Sequence, residues 1–290
     1  MVHVLQATIG GTTYNLSDGD ICYYVGQDGL GLPSLNRLQE QGPQQHGTTD
    51  VGFLLGPRSF RLFFAVPGST AGDVYDRRTD LLEIFRPSDT AIILTFRLPN
   101  GDIRNIDAHA TGGLVFSTAQ RQGYMEKAAV SLSAPEPSFY DPTAEALTTT
   151  LGTEVAGFMV GMPVPFFVGA SVINAIETIT YAGNWRVFPH EIKIEGPITN
   201  CKIENLTTDE ILDFTGASLA AAQAWYIDLR YGYKTITRED TTNAIASLTE
   251  DSDLATWHLE PGSNEIQITG TGATTATEIT IAYYNRYIGI

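Results

Sequence analysis

Short stretches in which apolar and polar residues alternate, most of them bounded by glycine, proline or asparagine, recur along almost the whole chain. Val4–Ile9 and Thr12–Leu16 flank a Gly-Gly turn, and Ala91–Leu98 and Asp102–Ala108 flank a Pro-Asn-Gly turn. A period of two residues is typical of β-strands, and short glycine-containing turns close antiparallel hairpins. The sequence therefore predicts a mainly β fold.

One segment has the signals of a helix instead. Thr70 is suited to cap the N-terminus, and Pro87 would end the helix. Val74, Leu81 and Phe85 would fall on one face. We expect a single good helix between the cap and the proline.

The proline-rich segment Ala134–Thr143 is the best candidate for a domain boundary. We expect residues 1–142 to form an N-terminal β-barrel or β-sandwich domain that contains the helix. In residues 143–290, closely spaced short strands and no convincing long helix predict a C-terminal β-sandwich.

The charge of the chain argues against a protein that grips nucleic acid. The net charge is −16, with −4 in residues 1–140 and −12 in residues 141–290. Phosphate binding needs clustered lysine and arginine, so this acidity would let nucleic acid pass without sticking. Simple solubility explains the acidity equally well.

Two further features bear on where the protein works. The two cysteines, Cys22 and Cys201, lie far apart in the sequence and cannot form a disulfide framework, so a reducing compartment is expected. The 22-residue uncharged stretch Val155–Ile176 contains prolines and glycines that would break a spanning helix. We therefore predict no membrane span.

Two segments of the first half look suited to contact other molecules. Gly26–Gly47 is a long stretch rich in glycine, proline and glutamine, and loops of this length are usually functional or interfacial. Ser59–Val66 alternates but has apolar residues on both faces, so a neighbouring subunit could cover one of them. The candidate subunit-interface residues are Asp28, Gly29, Pro33, Arg37, His46, Arg61 and Phe63.

No catalytic or metal-binding constellation stands out. The five histidines are scattered, and the H-x-x-x-H, C-x-x-C and G-x-S-x-G motifs are absent. We predict no enzyme activity, no cofactor and no metal, although a pair of carboxylates that is close only in space would be invisible here. Trp185, Trp225 and Trp257 could stack on sugars, but core packing is favoured because each lies beside an alternating apolar run.

The order of these elements resembles the distal tail protein (Dit) family of long, non-contractile-tailed bacteriophages over nearly the whole chain. The stretches that carry the resemblance are Asp28-Gly29, Phe60–Val66, Asp73–Arg86, Ile92–Ala108, Pro137–Pro142, Tyr181–Asn184, Pro189–Gly196, Ile227-Asp228, Leu259–Asn264 and Tyr284–Gly289. Each stretch is short, and their order and spacing over two domains is what makes the match.

The resemblance implies an N-terminal domain that closes into a homohexameric ring and a galectin-like C-terminal sandwich outside it. Such a ring would continue the tail tube, act as the hub for tip and fibre proteins, and let genomic DNA pass through its channel. The protein would be assembled in the host bacterial cytoplasm and end in the virion tail tip. Two alternatives stay open: a carbohydrate-binding module for host glycans and, with less support, a cell-wall hydrolase.

Overall fold

The computed structural model describes residues 4–151 and 172–290. The described residues form mainly β-strands with one α-helix, which confirms the mainly β prediction. Most of the stretch Val155–Ile176, for which no membrane span was predicted, lies outside them. Among the described residues, no helix is long and apolar enough to cross a membrane.

The chain is divided into two compact units. The first comprises Met1–Pro142 together with Tyr287–Ile290, and the second comprises Thr143–Arg286. The sequence-based boundary placed everything after residue 142 in one domain, whereas the last four residues belong with the first unit. They return because their backbone finds hydrogen-bond partners there, among them the carbonyl of Leu30, which accepts from the Ile290 N–H (3.3 Å).

The first unit is built on one large antiparallel sheet and a separate hairpin. Its elements are β1 (Val4–Ile9), β2 (Thr12–Asn15), β3 (Tyr23–Asp28), β4 (Leu35–Glu40), β5 (Thr49–Leu55), β6 (Arg58–Val66), α1 (Ala71–Ile84), β7 (Ile92–Arg97), β8 (Ile103–Ala110), β9 (Val115–Gln122), β10 (Met125–Ala134) and β11 (Phe139–Tyr140). The large sheet has the order β2-β1-β7-β8-β10-β6-β3, with β9 beside β10 and β11 beside β8. The sheet does not close into a barrel, because its two edge strands, β2 and β3, do not pair with each other. Of the two architectures predicted for this domain, the barrel is therefore not formed.

Strand β6 fixes the inside and the outside of this unit. Phe60, Leu62 and Phe64 point into the core, while Arg61 and Phe63 between them are exposed. This is the two-residue period that the sequence showed. The strand therefore contributes one face to the core and presents the other to solvent.

Helix α1 closes the core from one side and begins where the sequence predicted. The Oγ1 of Thr70 accepts a hydrogen bond from the Asp73 N–H (3.2 Å), and the Asp73 carboxylate accepts from the Ser69 N–H (2.8 Å). The first bond satisfies a backbone donor that the helix N-terminus leaves free, and the second ties the residue before the cap to the first turn. Val74 and Leu81 are fully buried against the sheet.

The prediction of a long loop over Gly26–Gly47 was wrong. The segment contains the end of β3 and all of β4, which pairs with β5 as a separate two-stranded sheet. The register shifts between Leu38 and Gln39. A β-bulge of this kind disturbs the two-residue period, which is why no strand pattern is visible in the sequence.

The second unit contains two stacked sheets. Its strands are β12 (Glu145–Leu151), β13 (Val172–Tyr181), β14 (Glu191–Glu195), β15 (Ile198–Asn205), β16 (Glu210–Asp213), β17 (Ser218–Leu219), β18 (Ala224–Asp228), β19 (Thr235–Arg238), β20 (Gly262–Thr271) and β21 (Thr277–Tyr283), with β22 (Arg286–Tyr287) at the return to the first unit. One sheet has the order β12-β21-β14-β18-β19, and the other has the order β13-β20-β15-β16 with β17 beside β15. Ile194 and Ile281 from the first sheet and Ile203 and Ile268 from the second share one buried core. The C-terminal β-sandwich prediction is confirmed.

The two cysteines lie in the cores of different units, and we expect neither to react in the folded protein. Burial raises the pKa of Cys22 and of Cys201 to about 12, and only the thiolate attacks a disulfide reagent. At pH 8, Ellman's reagent should detect no thiol in the native protein and both thiols after denaturation in guanidinium. Rapid reaction of one thiol in the native protein would contradict the buried placement.

Candidate functional site

A strip of apolar side chains crosses the exposed face of the first unit's sheet. Phe63 on β6 lies opposite Ala129 on β10, and Ala129 in turn lies opposite Val115 on β9. On the other side of Phe63, β3 bulges next to Gly26 and exposes Val25. Phe63 is 39% exposed, far more than the side chains on the inner face of the same strand. We call Val25, Phe63, Val115 and Ala129 the apolar row.

A polar recess of about 250 Å³ lies beside the apolar row. Arg61 is opposite both Asp28 and Ser131 in the strand register, so a cation and a carboxylate lie on neighbouring strands. The Ser131 carbonyl accepts hydrogen bonds from the N–H and the hydroxyl of Thr111 (both 3.1 Å). The recess therefore has a fixed rim and two exposed side chains of opposite charge.

The second exposed apolar surface is the β4–β5 hairpin, Leu35–Leu55, which we call the arm. Both of its faces are largely open, and every residue of β4 is exposed. Its exposed apolar side chains are Leu35, Leu38, Val51, Phe53 and Leu54. The arm carries one ion pair, Arg37 Nη1 to Asp50 Oδ2 at 2.5 Å, which is half exposed and therefore contributes little stability.

The exposure of the arm needs a physical explanation. A lone two-stranded hairpin is marginally stable in water, and contiguous exposed apolar side chains usually mark an interaction surface. The arm is paired with no other strand among the described residues. A second surface that packs on it would supply the missing burial.

The structure gathers some of the predicted interface residues and excludes one. Asp28, Gly29 and Arg61 line the polar recess, Phe63 lies in the apolar row, and Arg37 and His46 lie on the exposed arm and its connecting turn. Pro33 is buried within the unit, so it cannot face a neighbour and its assignment to the interface was wrong. The sequence reasoning missed the apolar residues of the arm, since no alternating pattern marked them.

Gly29 has a role in the fold itself. Its φ is +89°, and a Cβ at this position would lie 2.7 Å from the Ser59 carbonyl oxygen. Only glycine fits such a left-handed and crowded position. Gly29 therefore allows the backbone that follows β3 to pack closely against the backbone of β6.

The segment that follows Gly29 is held by Arg58, which sequence reasoning did not single out. This side chain is 1% exposed, and its guanidinium donates to the carbonyls of Pro137 (2.7 Å), Gly31 (2.5 Å), Ile288 (2.5 Å) and, more weakly, Gly29 (3.3 Å).

Burial lowers the pKa of Arg58 to about 10, so the group stays charged at neutral pH. Its guanidinium also lies 4.8 Å from the centre of the Phe139 ring. Arg58 thus fixes the root of the arm, the exit from the first unit and the C-terminal residues in one place.

The tryptophans of the second unit are not a sugar-binding platform. Trp225 and Trp257 are fully buried, and Trp225 stacks on Phe214 with ring centres 4.6 Å apart. The stacking role considered for these two residues was therefore wrong, and core packing accounts for both. Trp185 is half-buried and stays a prediction. Nowhere in residues 4–151 and 172–290 do three or more His, Cys, Asp or Glu residues form a group that could hold a metal ion.

Comparison with known proteins agrees with the resemblance seen in the sequence. Residues 182–287 match the family model described as siphovirus-type tail component, C-terminal domain. The crystal structure of the SPP1 Dit protein, described as a paradigm of the hub adsorption apparatus in phages that infect Gram-positive bacteria, aligns over 98% of this chain and 99% of its own. Its TM-score is 0.66 at 15% identity.

A chain of the phage P2 baseplate in its activated conformation with Ca aligns over 97% of this chain and 98% of its own, with a TM-score of 0.50 at 13% identity. No curated protein sequence matches the chain. The resemblance to distal tail proteins is confirmed, and the chain has the fold of a structural component of phage tails and baseplates.

Proposed function

We propose that this protein forms a homohexameric ring at the distal end of a long, non-contractile phage tail, where it joins the tail tube to tip and fibre proteins. The observation that supports this most directly is the pair of separate exposed apolar surfaces on the first unit, the arm and the apolar row. The shared fold with the SPP1 Dit protein supports the tail location. The role is structural, with no catalytic step.

Two different surfaces on one unit favour a head-to-tail contact. When one surface of a subunit binds a different surface of the next, the assembly closes into a ring if the rotation permits. The arm would lie on the apolar row of the neighbouring subunit and bury both. In this contact the Arg37–Asp50 pair of the incoming arm would meet Arg61 and Asp28 of the polar recess, and the opposite charges on both sides support this pairing.

Charge favours the first unit as the ring-forming part. Residues 1–140 carry a net charge of −4, whereas residues 141–290 carry −12. Packing several copies around one axis multiplies like-charge repulsion, so the less charged half is the better ring element. An acidic protein also lets genomic DNA pass through the channel without specific binding. Assembly would take place in the host cytoplasm before the ring enters the virion tail tip.

The ring is testable by negative-stain electron microscopy of the purified full-length protein. We expect six-fold rings with a central hole at micromolar concentration, and a matching mass by light scattering. A homogeneous monomer under these conditions would contradict the proposal.

A substitution on the arm should abolish these rings without unfolding the protein. Leu54→Asp places a carboxylate on the exposed arm, where an isolated subunit tolerates it and a buried interface does not. We expect a shift toward monomers in light scattering with an unchanged circular dichroism spectrum. Leu82→Asp, at a similarly exposed leucine of α1, is the matched control and should leave the rings intact. Equal effects of the two substitutions would argue against the arm as the contact.

A further inference from the structure

A tight turn of the second unit presents two tyrosine rings to solvent. After β18, the Tyr233 N–H donates to the Arg230 carbonyl (3.1 Å), and Gly232 supplies the positive φ (+80°) that the turn requires. Tyr231 and Tyr233, on either side of the glycine, are 60% and 62% exposed. Neither phenol hydroxyl has a hydrogen-bond partner among the residues that the structure describes.

The ring of Tyr233 packs against the side chain of Arg230, which is held in place by an ion pair. Arg230 binds Asp228 through two atoms, Nε to Oδ1 at 3.1 Å and Nη2 to Oδ2 at 2.6 Å. Its guanidinium carbon lies 4.7 Å from the centre of the Tyr233 ring. The cation occupies one face of the ring and leaves the other available.

Tyr231 is braced in the same way by a lysine. The Nζ of Lys234 donates to the carbonyls of Leu229 (2.9 Å) and Leu254 (3.1 Å) and lies 5.2 Å from the centre of the Tyr231 ring. Phe188 contacts the same ring edge-on, with centres 4.6 Å apart. Each tyrosine ring therefore has a neighbouring group that restricts it, which reduces the conformational entropy lost when a ligand binds on it.

The surroundings of the turn restrict what could bind there. In the described part of the second unit, the other large exposed apolar side chains are Ile176 and Ile245. The turn is thus a small spot rather than part of a broad apolar patch, and a stable protein interface of about 800 Å² per partner needs more. The net charge of −12 over residues 141–290 disfavours anions such as nucleic acid or phosphate-rich polymers.

We propose that the Arg230–Lys234 turn is a binding site for neutral saccharides, whose rings stack on Tyr231 and Tyr233. A sugar ring offers a flat C–H face that matches an exposed aromatic ring, and its hydroxyls can exchange hydrogen bonds with the free phenol groups and the exposed Thr235. This site lies outside the first-unit surfaces assigned to the ring, and it replaces the buried tryptophans as the aromatic platform of this unit.

The test is binding of the full-length protein to an array of neutral oligosaccharides built from glucose, galactose, rhamnose and N-acetylglucosamine. We expect weak binding to at least one of them and a loss of about tenfold in affinity for each ring removed by Tyr231→Ala or Tyr233→Ala. Tyr75→Ala is the matched control, because Tyr75 is 58% exposed and also has an arginine, Arg78, over its ring at 4.8 Å. It should bind like the unchanged protein.

Two results would overturn the proposal. One is no binding to any saccharide of the array, and the other is equal binding by the Tyr231→Ala/Tyr233→Ala double variant. Light scattering on the same samples keeps this test separate from the ring proposal. The double variant should form the same rings as the unchanged protein, so a failure to bind sugar leaves the ring result standing.

Discussion

Replacing Arg58 by methionine is expected to destabilise the first unit by about 4 kcal/mol or more while leaving the second unit unaffected. Methionine fills much of the arginine's volume but cannot donate hydrogen bonds. The Pro137 carbonyl would then be buried without this donor, and the part-buried carbonyls of Gly31 and Ile288 would lose a charged donor, at a cost of about 1–3 kcal/mol for each bond. Because a domain is stable by only about 5–15 kcal/mol, this is a large fraction of the total.

The protein contains its own probe for separating the two units. All three tryptophans, Trp185, Trp225 and Trp257, lie in the second unit, so tryptophan fluorescence reports on that unit and far-ultraviolet circular dichroism reports on both. In guanidinium titrations at one protein concentration, Arg58→Met should lower the midpoint of the dichroism transition of the first unit. The fluorescence transition should stay in place.

Arg97→Met is the matched control for this experiment. It removes an arginine from a strand of the same sheet, but Arg97 is exposed, lies outside the proposed subunit contact and makes no ion pair within 4–151 and 172–290. Exposed substitutions usually change stability by no more than about 0.5 kcal/mol. A shift of the Arg58 variant no larger than that of the control would contradict the role assigned to the buried guanidinium. Arg58→Lys should fall between the two, since one ammonium group cannot reproduce the planar fork of donors.

Local signals in the sequence were sufficient for some elements of the fold. Thr70 and Pro87 bracket the helix because capping and ring sterics act over a few residues, and the structure places α1 between them. The alternation of β6 is confirmed from Ser59 to Phe64, because a strand with one buried face needs a period of two, and it ends where Ala65 and Val66 are both buried. The buried position of Trp225 in β18 follows from the same kind of pattern, whereas Trp257 is buried outside any strand.

What the sequence did not reveal depends on distant contacts or on irregular backbone. Arg58 looks like any other arginine at a strand end, because two of its acceptors lie 79 and 230 residues further along the chain. The arm was hidden by the bulge beside Leu38, which removes the alternating pattern. The Tyr231–Tyr233 platform carries no motif, and only the exposure of its rings in the fold separates it from core aromatics.

Phe63→Asp is expected to convert the ring into monomers. In an isolated first unit the new carboxylate remains partly solvated, since Phe63 is already 39% exposed, and the change in folding stability should stay near 1 kcal/mol. In the ring, the same carboxylate would lie unpaired under the neighbour's arm. Burying it there should weaken each contact at least about a hundredfold. Light scattering against concentration measures this directly, and Phe63→Leu should retain the ring.

Mixing Phe63→Asp with Leu54→Asp decides whether the contact is head-to-tail. Each variant keeps one unaltered surface. Phe63→Asp keeps the arm, and Leu54→Asp keeps the apolar row. If the arm of one subunit lies on the row of the next, the mixture should form a one-to-one dimer and stop there, because the remaining arm and row are both damaged. Native mass spectrometry with one variant isotopically labelled would identify this dimer. If the contact instead joined the same surface on both subunits, the variant that keeps this surface would pair only with itself. No dimer of one labelled and one unlabelled subunit would form, and the ring geometry proposed for the first unit would have to be abandoned.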